Sequence, residues 1–138
     1  MSDSLQGLGK ESTGPKLNLN TTMILFNTTF AVDSNHAADF IAFIRDSHIP
    51  TAEKSGLYGM LLTEMHGEAT TNSLTGQQIR TFALQMRAPS ADIMSEFHER
   101  VLPSVYAEIG RRWGMAVCMF ESQLDVVYDH QSANGRKG

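Results

Sequence analysis

The chain has 138 residues, 41% of them hydrophobic and 19% charged, with a formal net charge of −4, which suits one ordinary globular domain. Its acidic balance argues against a phosphate-backbone binder, so nucleic acid is not an expected partner. No run of about 18 apolar residues and no basic start followed by an apolar stretch is present, and one cysteine, Cys118, cannot close an intrachain disulfide. Neither a membrane nor an oxidising compartment is expected, which leaves the cytoplasm.

Residues 1–22 are rich in Gly, Ser, Thr, Asn and Lys with isolated leucines, and read as a flexible arm that cannot offset the entropy of its own ordering. Residues 129–138 read as a flexible tail for the same reason, leaving 23–128 as the folded domain.

Within that domain, Met23 to Val32 places Ile24, Phe26, Thr28, Phe30 and Val32 on one side at period two, a strand with a strongly apolar face. Ala37, Phe40, Ile41 and Ile44 then recur at helical spacing, predicting a helix over 35–54 with a bend or break at Pro50. Leu57 to Met65 and Ile79 to Arg87 are strand-like runs joined by the polar, glycine-bounded loop 67–76, which suits a long antiparallel hairpin. Ser90 caps a second helix carrying the stripe Ile93, Phe97, Val101, Val105 and Ile109, with a kink at Pro103 and an end at Gly110 or Gly114. Met115 to Val127 supplies a fourth strand.

The order β, α, β, β, α, β predicts an α+β, ferredoxin-like fold: a four-stranded antiparallel sheet with two helices on one face. The helix-free side would show Leu25, Asn27, Thr29 and Ala31, then Thr81, Ala83, Gln85 and Arg87, then Val117, Met119, Glu121 and Gln123. Charges are too few there for a sheet left in water, and a second copy of the chain is the simplest cover, giving a homodimer. In that phase Cys118, with Ala116, Phe120 and Leu124, is expected to face the helices as a small core residue.

Met23 to Phe30, the His48-Ile49-Pro50 step followed by Ser55-Gly56-Leu57, the Phe82 to Ala88 strand and the Phe120 to Val126 strand resemble the small bacterial family called domain of unknown function 4286. The likeness runs from 23 to about 127. It implies a ferredoxin-like fold close to the dimeric α+β barrel group, and brings no assigned activity. By matching position, Asn27 and Gln85 are the family's recurrent polar strand residues, and His48 to Pro50 its helix-end His-Ile-Pro. The 67–76 loop and the N-terminal arm are additions outside the likeness.

Candidate ligand-binding residues follow. Asn27 and Gln85 would sit on neighbouring central strands with their amides toward the dimer space, able to orient a small, partly apolar ligand or, more plainly, to fix the association. Glu121 could act as a base or anchor there, and Arg87 could neutralise an acidic ligand, though an ion pair between subunits accounts for both. His48 would stand near a helix C-terminus, which favours a charged imidazole. Glu64 and His66 share a strand face, but two ligands do not make a metal site, so no metal and no cofactor is expected.

The rival reading is an enzyme. Barrels of this group include cofactor-independent monooxygenases and haem-degrading enzymes, and this chain is similar to the latter in a strand-one asparagine (Asn27) and a helix-two histidine (His98). Their tryptophan near the end of strand three is replaced here by Met86-Arg87-Ala88. A third class, a scaffold acting through the 67–76 loop or the arm, stays open.

Overall fold

The computed structural model describes residues 22–130 apart from 68 and 69, so nearly all of the expected arm and most of the expected tail lie outside the described residues. The first strand, β1 (Ile24–Asp33), buries Ile24, Phe26, Thr28, Phe30 and Val32 in strict alternation, as period two requires. Its helical successor is continuous but not uniform. Helix α1 (Ala37–Phe43) opens into a π-helical turn, Ile44–His48, and tightens again as α2 (Ile49–Lys54). Pro50 lies in the first turn of α2, where it has no N–H to return to the carbonyl of Asp46, so the irregularity sits just ahead of the proline.

Strands β2 (Tyr58–Glu64) and β4 (Gln78–Ala88) form the expected hairpin, with a two-residue strand β3 (Thr70–Thr71) added inside the loop. The Ser90 hydroxyl accepts the Ile93 N–H at 3.2 Å and starts α3 (Ala91–Arg100). The helix breaks at Val101 and restarts as α4 (Leu102–Trp113), with Pro103 in its first turn and Gly114 at a φ of 51° ending it. A short 3-10 turn, Gly114–Ala116, leads into β5 (Val117–Asp125).

The sheet order is β2-β4-β1-β5, all antiparallel, with β3 paired to β4. Both helical segments cover one face and enclose Phe26, Phe30, Phe40, Phe97, Leu84, Met86 and Met94. Trp113 packs edge-on against Phe40 and Phe43 and lies under the Arg112 guanidinium. This is the ferredoxin-like α+β arrangement.

One expectation is overturned by register. Thr28 pairs with Glu121 and Phe30 with Met119, so Val117, Met119, Glu121 and Gln123 share the helix-covered face. Cys118, Phe120, Ser122 and Leu124 take the helix-free face instead, and Cys118 is exposed. Met115 to Val127 is apolar in both alternation phases, and the 3-10 turn ahead of β5 sets a phase that periodicity cannot choose.

Candidate functional site

The helix-free face is built on the four long strands, in continuous register except where β2 shifts between Tyr58 and Leu61. Asn27 stands opposite Gln85 on one side and Ser122 on the other, and Gln85 stands opposite Leu61. A row of amides and a hydroxyl therefore crosses the middle of the sheet. Around it the face is apolar: Leu25 and Leu124 flank the row on one side, and Ala83 and Phe120 on the other. Phe120 is 66% exposed, Leu61 54% and Leu124 49%, an unusual concentration for the surface of one sheet.

Both ends of this face are tied down. At one end Asn72, from the loop before β4, donates to the Asp33 carboxylate at 2.9 Å and to the Met115 carbonyl at 3.3 Å. At the other, the segment after β5 is held by the Val126 N–H on the Met23 carbonyl at 3.0 Å, and brings Asp129 Oδ2 to 3.5 Å from Arg87 Nη1.

The structure thus gathers Asn27, Gln85 and Arg87 on one face and separates Glu121 and His48 from them. Glu121 belongs to a different cluster. Its carboxylate accepts hydrogen bonds from the Tyr106 hydroxyl and from His98 Nε2, and Thr28, opposite it in the ladder, hydrogen-bonds the Tyr106 oxygen. Burial first, and the neighbouring Glu121 carboxylate second, push the Tyr106 phenol well above its usual range, so it stays a donor. Sequence reasoning missed Tyr106 altogether. No local signal pointed to it, because its partner Glu121 carries its need for donors to the helices only once the register of β5 places it beneath them.

His48 is not at a charged helix end. It lies in the π-helical turn, buried, stacked on Phe97 with ring centroids 6.2 Å apart, and its Nδ1 has no hydrogen-bond partner. Desolvation lowers its pKa from 6.5 to about 4, so the ring is neutral at ordinary pH. Asn27 and His98 stand on opposite faces of the sheet, so the pair shared with haem-degrading barrels does not converge on one site here. Among the described residues no group of three or more His, Cys, Asp or Glu could hold a metal ion.

An antiparallel sheet of four long strands and the short β3, with one helical layer and a polar row at the centre of its bare face, defines a ferredoxin-like α+β protein. The chain belongs to the family Domain of unknown function (DUF4286), whose model matches residues 23–127. No curated protein matches the sequence. Among solved structures, it is similar to a candidate antibiotic biosynthesis monooxygenase from Bacillus cereus, at TM-score 0.52 and 11% identity, covering 80% of this chain and 99% of that one. A conserved protein of unknown function from Bacteroides thetaiotaomicron, considered a possible oxidoreductase, aligns at TM-score 0.54 and 12% identity, covering 77% and 99%. At such identities the likeness is one of fold.

Proposed function

We propose that the protein is a homodimer whose two helix-free faces meet, enclosing a space in which Asn27, Gln85 and Arg87 receive a small, partly apolar molecule. The exposed apolar face, with Phe120, Leu61 and Leu124 all open to solvent in a single copy, is the observation that carries this reading. Covering such side chains is favourable by roughly 25 cal/mol per Å² of apolar area, and a C2 dimer covers the same patch twice. The amide row explains why the space is more than glue: in a dry interface Asn27 and Gln85 must find partners, and a ligand with polar groups supplies them. The lone cysteine asks for no oxidising compartment, so we place the dimer in the cytoplasm.

Light scattering of the purified protein tests the association. The expected mass is twice the 15.2 kDa of the chain, falling to that of one chain when Phe120→Asp and Leu61→Asp are combined. A single-chain mass for the wild type at working concentration would remove the reading.

A second reading, an oxygenase-type enzyme, is favoured by the carboxylate-backed imidazole of His98 on Glu121, an arrangement suited to moving a proton. It predicts oxygen uptake with an easily oxidised phenol such as hydroquinone as the probe, lost in His98→Gln. Oxygen uptake that His98→Gln leaves unchanged counts against it.

A further inference from the structure

Arg87 is the one basic side chain among the strand residues of the helix-free face, and its surroundings are shaped to hold it. Gly59, in the irregular start of β2, has a φ of 65°, and a Cβ there would stand 3.1 Å from Arg87 Cδ, so the glycine leaves the room through which the arginine stem passes. Nη1 lies 3.2 Å from Met23 Sδ, and the Arg87 side chain as a whole is 21% exposed. Its carboxylate neighbour, Asp129, comes from the segment after β5 and must cross over β1 to reach β4. At 3.5 Å that contact is looser than a charge-assisted hydrogen bond of about 2.8 Å. Beside Arg87 the face is apolar at Leu25 and Leu124, and the amides of Asn27 and Gln85 begin two residues further along, about 7 Å away.

We infer that the ligand of this face is a monocarboxylic acid with an apolar body, its carboxylate seated on Arg87, and that Asp129 is the internal group it displaces. The inference rests on the reading of the helix-free face as an enclosed ligand space. Asp129 and an acid ligand compete for one guanidinium, so binding of the acid breaks the Arg87–Asp129 contact. The apolar body lies over Leu25 and Leu124, where an alcohol of the same length makes the same contacts without the charge.

Calorimetric titration of the full chain with octanoate and, separately, octanol tests this, after light scattering has fixed the oligomeric state. Octanoate is expected to bind roughly tenfold more tightly than octanol. Arg87→Gln removes that difference, and Asp129→Asn tightens octanoate several-fold while leaving octanol unchanged. Equal binding of the two probes, no binding of octanoate to the dimer, or weaker octanoate binding in Asp129→Asn each overturns the assignment. A dimer that ignores octanoate sinks this inference alone, whereas a single-chain mass sinks the reading beneath it.

Discussion

His98 on α3 and Glu121 on β5 meet on the covered face of the sheet, the imidazole donating through Nε2 to a carboxylate that also takes the Tyr106 hydroxyl. The cluster ties both halves of the broken second helix to an edge strand. In the absence of Glu121 the Tyr106 hydroxyl would lose its acceptor while remaining half-buried, a cost of about 1–3 kcal/mol. Glu121→Ala, which leaves no acceptor there, should therefore lower the urea midpoint more than Tyr106→Phe, which removes the donor along with its need. A double-mutant cycle between His98→Ala and Glu121→Ala should show coupling, since the two side chains are in direct contact. Strictly additive losses would mean that the pair contributes nothing beyond its separate members.

The buried His48 gives stability a pH dependence of known sign. Its folded pKa of about 4 lies below the ordinary 6.5, so between those values the unfolded chain holds more protons than the folded one. Its contribution is complete above pH 6.5, falls as pH drops, and is lost by about pH 4, amounting to roughly 3 kcal/mol. Urea unfolding of wild type and His48→Phe at pH 7 and pH 5 should show a smaller acid loss in the variant. Parallel losses would place the acid sensitivity elsewhere.

Cys118 reports on the dimer independently of mass. It is exposed in one protomer, on the helix-free face beside Ala31. Association should slow its reaction with a thiol reagent at least several-fold relative to the variant that combines Phe120→Asp and Leu61→Asp, because the thiolate must reach solvent to react. Equal rates in the two proteins would show that nothing covers this strand.

Two glycines separate strain from entropy. Gly110 lies within α4 with nothing near its missing Cβ, so Gly110→Ala should stabilise by about 0.5–1 kcal/mol. Gly59→Ala should destabilise by about 1–2 kcal/mol, because it combines a left-handed backbone with the 3.1 Å approach to Arg87 Cδ. Thermal denaturation should move the two variants in opposite directions, and a shift of the same sign in both would contradict the assignment.

Much of the architecture was written in local pattern. The alternation of β1, the Ser90 cap, the break near Pro103 and the glycine-bounded hairpin each depend on neighbours a few residues away, and each is present in the structure. The pairing of Asn27 with Gln85 was legible too, because two central antiparallel strands with strongly apolar opposite faces leave their polar positions no other side. Glu121 and Cys118 were not legible. In β5 both phases carry apolar residues, and an apolar phase that awaits a partner looks the same in sequence as one that faces helices. His48 was misplaced because the helix passes through Pro50 by opening a π-helical turn ahead of it and does not end there.

By itself the sequence determined the order of elements, their caps and the apolar face of the central strands, since these follow from backbone propensity and side-chain period. Only the tertiary structure decided which face of the last strand meets the helices, that Tyr106 and His98 converge on Glu121, and that Asp129 reaches Arg87. Those are contacts between side chains far apart in the chain, set by register and helix placement, and no local period encodes them.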